Sequence, residues 1–98
     1  YQVWPNEVEE VLRRHPAVRD VGVAGVPDVQ RGARVKAWVV LKDGQLAGEE
    51  ELLVWCRAEL AYYKLPVDWA FVEALPRSTV GKLLRRELLR WHLEGNRE

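Results

Sequence analysis

The amino-acid sequence predicts an α+β domain, in which a small sheet of about three strands packs against helices in the order α-β-β-α-β-loop-α. Three observations lead to this prediction. Two apolar, β-branched runs follow each other with only a short polar loop between them, which indicates neighbouring strands. Stretches with helical spacing of apolar residues lie before, between and after the strands. The length of 98 residues allows one small domain with one modest core.

The first helix is predicted from Trp4-Pro5 to His15, because proline is well tolerated in a first helical turn and Pro16 can end the helix. An acidic first turn and an apolar stripe favour the same helix, at Glu7, Glu9 and Glu10 and at Val8, Val11 and Leu12. His15 is interpreted as a residue that caps the helix end rather than as a metal ligand.

Three strands are predicted after this helix, at Val18–Val26, Val35–Leu41 and Asp68–Val72, and a loop from Pro27 to about Gly32 joins the first two. The run Val35–Leu41 is nearly continuous in apolar residues, so we expect it to be central and covered on both faces. The large aromatic side chains on the strands are expected in the core, at Trp38, Trp69 and Phe71.

Two further helices are predicted, from Glu49 to about Tyr62 and from Leu83 to about His92. The first of them is broken by Lys64-Leu65-Pro66. The loop Leu75–Lys82 precedes the last helix, and a polar tail begins at Gly95.

Charge and composition exclude several classes of protein. Fifteen Lys and Arg against fifteen Asp and Glu give zero net charge, which argues against a general nucleic-acid binder. The single cysteine, Cys56, excludes an internal disulfide, and its apolar helical position predicts a core residue rather than a nucleophile. Two histidines and one cysteine offer no zinc-binding spacing, and no apolar run is long enough to span a membrane. No signal peptide is visible, and Tyr1 in place of an initiator methionine suggests a fragment.

The loop from Pro76 to Lys82 is the segment whose chemistry points most directly to a ligand. Gly81 would let the backbone come close to a ligand, and Lys82 is a mobile charge suited to phosphate or carboxylate. The loop is not a phosphate-binding P-loop, because Pro76 stands where that motif has glycine and Leu83 where it has Ser or Thr. No side chain of the loop looks needed for packing. The residues alone therefore favour a solvated lysine at a helix start over a catalytic one.

Several segments resemble those of one known family, in the same order along the chain. They are Pro5–Glu9, His15–Val18, Gly25–Asp28, Gly32 with Val35–Leu41, Leu60–Pro66 and Leu75–Leu88. Together they resemble the C-terminal domain of the adenylate-forming enzymes, which include acyl-CoA synthetases, adenylation domains of peptide synthetases and luciferases. Lys64 within the fifth segment is interpreted as structural. One departure is Gly32-Ala33, where the family often has Gly-Glu, so no role is carried over to position 33.

The resemblance implies that residues 1–98 form the C-terminal (lid) domain of an ATP-dependent acyl-CoA synthetase, whose N-terminal ATP- and acyl-binding domain, with its Mg²⁺, lies outside this chain. In this family ATP and a carboxylic (fatty) acid give an acyl-adenylate and pyrophosphate, and CoA then takes the acyl group as a thioester. The implied catalytic residue is Lys82, whose charge stabilises the transition state of adenylation. Gly81 and Arg57 are the implied cofactor-binding residues, Arg57 for the nucleotide part of CoA. The chain alone is expected to be inactive, and the full enzyme is expected to be cytoplasmic.

The arginines leave simpler interpretations open. Arg57 is also explained as an exposed helical arginine next to Glu59. Arg85 and Arg86 follow the signature lysine in the acyl-CoA ligase branch, and they are expected to pair with Glu87 and line the surface of the domain.

Two other functions also remain open. An adenylation domain of a peptide synthetase tends to have Asn-Gly-Lys followed by Val-Asp-Arg, whereas here Val80 precedes the glycine and Arg85-Arg86 follows, which favours a CoA ligase. A free-standing interaction module could use the basic run Lys82, Arg85, Arg86 and Arg90 to meet nucleic acid or an acidic partner. Zero net charge and Glu87 within the run oppose that interpretation.

Overall fold

Residues 4–30 and 32–95 are described by the computed structural model, which confirms the α+β class. Within these ranges the elements are α1 (Pro5–Arg13), β1 (Val18–Asp28), β2 (Gly32–Leu41), α2 (Glu49–Arg57), a 3-10 turn (Tyr62–Lys64), β3 (Asp68–Phe71) and α3 (Arg85–Leu93). The part of the expected polar tail beyond Gly95 lies outside the described residues. The order of the elements agrees with the prediction, and the differences concern where they begin and end.

The three strands form one mixed sheet in the order β1-β2-β3. β1 and β2 are antiparallel, from Val18 opposite Leu41 to Asp28 opposite Gly32. β2 and β3 are parallel, because the connection through α2 carries the chain back along the sheet between them. β2 is therefore the central strand, as predicted, and helices on both of its faces explain its apolar run.

Alternate residues of the strands build one apolar cluster on each face of the sheet. On one face the strands supply Val21, Val23, Val35, Ala37 and Val39, which pack with α1 and α2. On the other face Ala24, Val26, Trp38 and Ala70 pack against Leu88 of α3. The predicted core positions are confirmed, since Trp38 is buried and Trp69 and Phe71 pack half-buried against the first cluster. Cys56 is also in this core, and burial raises the pKa of its thiol to about 11.

The loop predicted from Pro27 to Gly32 is shorter in the structure, because both strands extend into it. Pro27 lies opposite Ala33, and Asp28 lies opposite Gly32. An edge strand tolerates proline because one of its sides forms no ladder hydrogen bonds, and β1 is at the edge of the sheet. At the far edge β3 ends at Phe71, one residue earlier than predicted.

α2 ends at Arg57 rather than at about Tyr62, so this prediction was wrong by more than one turn. The N–H of Leu60 donates to the carbonyl of Cys56, and the next residue, Ala61, is extended with φ −61° and ψ 148°. Leu60 is still bonded to Cys56 in the helical pattern and is buried in the same core cluster, so the chain leaves the helical direction only at Ala61. The tyrosines that follow are exposed on a separate 3-10 turn.

The C-cap of α1 is Arg14, so His15, which was predicted to cap the helix, lies one residue beyond the cap. Its Nδ1 accepts a hydrogen bond from the N–H of Ala17 at 3.0 Å, so the proton of the neutral ring is on Nε2. That nitrogen lies 3.0 Å from Oε2 of Glu51 and donates to it, which links α1 to α2. In the part of the chain that the structure describes, no helix is both long enough and apolar enough to cross a membrane.

Candidate functional site

The segment that carries Lys82 is folded as a hairpin, which we call the lysine hairpin (residues 76–84). Arg77 and Leu83 face each other in an antiparallel bridge, so the hairpin has a short ladder at its base. Because Leu83 belongs to this ladder, α3 begins at Arg85 and not at Leu83 as predicted. Lys82 therefore lies on the hairpin itself, before the helix.

The tip of the hairpin is a three-residue loop closed by hydrogen bonds. Gly81 N–H donates to the Ser78 carbonyl at 2.9 Å, and Ser78 N–H donates to the Lys82 carbonyl at 2.9 Å. Gly81 has φ +87°, the left-handed conformation that such a loop needs at its last position. The backbone conformation of the loop therefore explains why glycine stands directly before the lysine, independently of any ligand.

The backbone of Lys82 is held while its side chain is presented to solvent. The Lys82 N–H donates to Oγ of Ser78 at 3.2 Å, and the Gly81 carbonyl accepts from Nη1 of Arg77 at 2.8 Å. Both polar groups of the Gly81–Lys82 peptide are therefore bound by side chains of the hairpin. The Lys82 side chain is exposed, and within residues 4–30 and 32–95 its ammonium group has no hydrogen-bond or ion-pair partner.

Arg77 attaches the hairpin to the sheet, which corrects the expectation that no side chain of this loop is needed for packing. Its Nη2 donates to Oδ1 of Asp20 at 2.7 Å and its Nε donates to Oδ2 at 3.1 Å. Asp20 is on β1, 57 residues earlier in the chain. The hydrogen bonds to Asp20 raise the pKa of the Arg77 guanidinium above its ordinary value, so the guanidinium stays protonated.

Arg85 does not pair with Glu87, as the sequence suggested, because it reaches across to α1. Its Nη2 lies 2.8 Å from both carboxylate oxygens of Glu9, which is buried, and its Nε donates to the Val23 carbonyl at 3.0 Å. Glu87 instead accepts from Arg90 on the same helix. Arg85 therefore fixes the start of α3, directly after the hairpin, to α1 and β1.

Arg57 lies in a different place, at an open groove of about 840 Å³ that we call the Arg57 groove. The walls of the groove come from β2, α2, the 3-10 turn and β3, and they include Leu53, Tyr62, Tyr63, Leu65, Pro66 and Trp69. The expected neighbour Glu59 pairs with Arg14, at 2.9 Å. Arg57 itself is exposed and has no ion-pair partner among the described residues.

Lys64 supports one end of this groove, in keeping with its structural interpretation. Its ammonium group donates to Oε1 of Glu7 at 2.9 Å and lies 5.1 Å from the centre of the Trp4 ring. The hydrogen bond to Glu7 raises the pKa of Lys64 above its ordinary value. The 3-10 turn is thereby tied to the first turn of α1.

The structure thus brings Gly81 and Lys82 together and leaves Arg57 apart, since no residue of the lysine hairpin lines the Arg57 groove. Sequence reasoning missed the two carboxylates that hold this region, Asp20 and Glu9. Each had a weak signal, because Asp20 interrupts an apolar strand and Glu9 adjoins the apolar stripe of α1. The Mg²⁺ that the resemblance implies is expected outside this chain, and the described residues contain no group of three or more His, Cys, Asp or Glu that could hold it.

Comparison with known sequences assigns a family. The family model described as AMP-binding enzyme C-terminal domain matches residues 7–82. A long-chain-fatty-acid–CoA ligase of Bacillus subtilis (strain 168) is 49% identical over 96 residues, which is 98% of this chain and 17% of that protein. A long-chain-fatty-acid–CoA ligase of Escherichia coli O157:H7 is 48% identical over 88 residues, 90% of this chain and 16% of that protein. The chain thus spans about a sixth of the length of these relatives.

Comparison with solved structures agrees. A Mycobacterium tuberculosis fatty acyl CoA synthetase superposes with a TM-score of 0.86 at 36% identity, over 94% of this chain and 18% of that one. An ATP-bound MatB from Rhodopseudomonas palustris superposes with a TM-score of 0.89 at 31% identity, over 99% of this chain and 19% of that one. A family match over most of the chain and the same fold in acyl-CoA synthetases lead to one conclusion: the chain belongs to the family of AMP-binding enzyme C-terminal domains.

Proposed function

We propose that this chain is the C-terminal lid domain of a cytoplasmic, ATP-dependent acyl-CoA synthetase, and that Lys82 is its catalytic residue. The observation that supports the role of Lys82 is its presentation, since an exposed ammonium without a partner among the described residues extends from a hairpin whose backbone is held in place. The names of the relatives, long-chain-fatty-acid–CoA ligase and fatty acyl CoA synthetase, support the reaction class and a carboxylic (fatty) acid substrate.

In the proposed first step a carboxylate oxygen of the acid attacks the α-phosphorus of ATP. The new P–O bond forms as the bond to pyrophosphate breaks, and the products are the acyl-adenylate and pyrophosphate. Negative charge increases around the phosphorus in the transition state, and the Lys82 ammonium lies between the carboxylate and the phosphate oxygens to stabilise it. Lys82 acts as a fixed charge in this step and neither takes up nor releases a proton.

In the proposed second step the thiol of CoA attacks the acyl carbon, the thioester bond forms and AMP leaves. Arg57 contacts the nucleotide part of CoA in this step. What supports this role is the composition of the Arg57 groove, in which a cation without an ion-pair partner among the described residues stands beside exposed tyrosine rings and apolar walls. A guanidinium suits phosphate, and aromatic faces suit a flat heterocycle.

The other two functions are less well supported. The relatives named above are CoA ligases, which favours CoA over a carrier protein as the acceptor and so opposes a peptide-synthetase adenylation domain. A free-standing module that uses the basic run on α3 is opposed by the pairing of that run. Arg85 is bound to Glu9 and Arg90 is bound to Glu87 and Glu94, so two of its four cations are neutralised.

The test separates the two half-reactions in the full-length polypeptide that contains this chain. Lys82→Ala is expected to lower the rate of pyrophosphate release from ATP and acid by about 100-fold, the scale of one lost preorganised electrostatic contact. Thioester formation from added acyl-adenylate is expected to change far less. Arg57→Ala is expected to slow thioester formation and to leave pyrophosphate release nearly unchanged. It is expected to raise KM for CoA by about 10-fold, the scale of one charge-assisted hydrogen bond.

Lys42→Ala is the matched control, because Lys42 is also an exposed lysine without an ion-pair partner among the described residues and lies in the turn after β2. It is expected to leave both half-reactions unchanged. Equal losses of both half-reactions in Lys82→Ala would contradict the proposed role of Lys82. A full-length polypeptide that forms no acyl-adenylate at all would contradict the proposed reaction.

A further inference from the structure

We infer that Arg77 and Asp20 are positioning residues for adenylation, and that they act together to orient the peptide from which the Lys82 side chain extends. This inference rests on the proposed function of Lys82 and adds to it the part of the domain that controls where the lysine points. It assigns no contact with substrate to either residue.

The side chains of Arg77 and Asp20 form a two-pronged contact, which we call the fork. Arg77 uses two nitrogens on the two oxygens of Asp20, at 2.7 and 3.1 Å. This bidentate geometry fixes the plane of the guanidinium, which a single contact would leave free to rotate. Asp20 is itself oriented, because its Oδ1 also accepts from the N–H of Val21 at 2.9 Å.

A further hydrogen bond connects Arg77 to the backbone of the hairpin. With two of its nitrogens on Asp20, Arg77 directs the third, Nη1, at the Gly81 carbonyl, 2.8 Å away. That carbonyl belongs to the peptide bond whose nitrogen is the Lys82 nitrogen. Two side chains, Arg77 and Asp20, therefore connect this peptide to β1 and fix the orientation of its plane relative to the sheet.

The ladder of the hairpin does not set the orientation of this peptide. The bonds at the tip involve the Gly81 N–H, the Ser78 N–H and the Lys82 carbonyl. The Gly81 carbonyl and the Lys82 N–H, which define the peptide between them, are bound by the Arg77 and Ser78 side chains. Gly81 is the residue most able to let this peptide rotate, since it tolerates both signs of φ. Arg77 therefore opposes the rotation that the glycine would allow.

The consequence for the reaction is geometric. A lysine side chain is long, and a rotation of the peptide at its base displaces the ammonium group. A displacement of about 1 Å at a reacting centre can cost on the order of 100-fold in rate, so a support that limits such displacement contributes to catalysis without touching the substrate. The pair Arg77–Asp20 provides such a support at the Gly81 carbonyl, beside the Ser78 hydroxyl at the Lys82 N–H.

The experiment is a double-mutant cycle in the full-length polypeptide, with Arg77→Met, Asp20→Asn and both changes together. Each single variant is expected to lower kcat of adenylation by roughly 10-fold, with KM for ATP nearly unchanged and thioester formation from added acyl-adenylate unchanged. The double variant is expected to resemble the single ones, because each change removes the same fork. Arg77→Lys, which keeps the charge and loses the fork, is expected to fall with them.

The matched control is another Arg–Asp pair, Arg34–Asp68. It links β2 to β3. Arg34 also donates to a backbone carbonyl, that of Pro27 at 3.2 Å, and its side chain is 31% exposed against 33% for Arg77. Arg34→Met is expected to lower thermal stability about as much as Arg77→Met while adenylation stays at the level of the unmodified enzyme.

Each possible result either supports or contradicts the inference. Additive losses in the double variant, or a loss in Arg77→Met without one in Asp20→Asn, would show that Arg77 acts directly and overturn the pairing. Equal losses in both half-reactions that follow the loss of thermal stability would assign the pair to stability alone. If Lys82→Ala lowers adenylation and no change at Arg77 or Asp20 does, the inference is wrong and the proposed function stands. If Lys82→Ala itself has no effect, the proposed function is wrong.

Discussion

The lysine hairpin and the Arg57 groove each present a cation without a partner among the described residues, but the structure supports the two in opposite ways. Around Lys82 the adjoining peptide is bound at both polar groups, and the support runs back to β1 through Arg77. Arg57 is the last residue of α2, and the chain that follows turns away through exposed tyrosines. Lys82 thus extends from a loop whose backbone is held by side-chain hydrogen bonds, whereas Arg57 lies at the edge of an open groove.

This difference indicates which role each cation is suited to. A charge that stabilises a transition state must be in place before the reaction, because its benefit is lost if the protein has to reorganise. A charge that binds a flexible ligand can adjust with it, since binding tolerates many arrangements of similar free energy. The hairpin fits the first requirement and the groove fits the second.

The strongest way to break this comparison is to keep both charges and change their geometry. Lys82→Arg retains the positive charge but replaces a compact ammonium by a larger, planar group. Because the hairpin holds its base in one orientation, we expect the rate of adenylation to fall by about 10-fold or more. Arg57→Lys is expected to change KM for CoA by only about 3-fold, because the open groove lets a lysine reach the same phosphate.

Single-turnover measurements of each half-reaction check this prediction. The comparison would be wrong if the two charge-retaining changes had effects of the same size, or if Lys82→Arg were tolerated while Arg57→Lys were not. Thermal unfolding of each variant serves as the control, since both side chains are exposed and neither change should move the unfolding midpoint.

A smaller effect is expected from Gly81→Ala. A Cβ at this position has open space around it, so the change acts only through the backbone, whose φ of +87° disfavours alanine by about 1 kcal/mol. We expect a loss of stability of this size, together with a several-fold loss of adenylation as the peptide before Lys82 relaxes. Urea unfolding and the rate of pyrophosphate release measure the two effects.

Gly44→Ala provides the matched control for that variant. Gly44 has φ +77°, and a Cβ there also has nothing within 4 Å, but it lies in the turn after β2. The same loss of stability with unchanged adenylation is expected. If Gly44→Ala lowered adenylation as much as Gly81→Ala, the loss would follow from reduced global stability. The hydrogen bonds that hold the peptide before Lys82 would then not be important for adenylation.

The sequence was sufficient for the fold because each element follows from a local pattern. The apolar run of β2 predicted a central strand, and Pro5 predicted the start of α1, and both are confirmed. Helix ends were less predictable, because they depend on distant packing. Leu60 has helical spacing with Cys56 and keeps a hydrogen bond to it, yet α2 ends at Arg57, and Leu83 pairs with Arg77 before α3 begins.

The supports of the candidate site could not be predicted for a similar reason. Glu9 and Arg85 are 76 residues apart, and Asp20 and Arg77 are 57 apart, so no spacing rule connects them. The sequence suggested Glu87 as the partner of Arg85, but side chains two residues apart on a helix point in different directions, and Arg85 instead binds the buried carboxylate of Glu9 on α1. Lys82 itself was found through family resemblance, and its role remains a prediction until the half-reactions are measured.

The smallest effect is expected from Arg90→Ala. Arg90 belongs to the same basic run as Lys82, but it faces solvent on α3 and pairs with Glu87 and Glu94 of its own helix. Exposed ion pairs within a helix are screened by water and salt, so we expect no measurable change in the unfolding midpoint or in either half-reaction. Salt-dependent binding to DNA that is lost in Arg90→Ala would favour the interaction module instead. If no such DNA binding is found and Lys82→Ala strongly lowers the rate of adenylation, the function of Lys82 depends on its position on the lysine hairpin and not on its membership of the basic run.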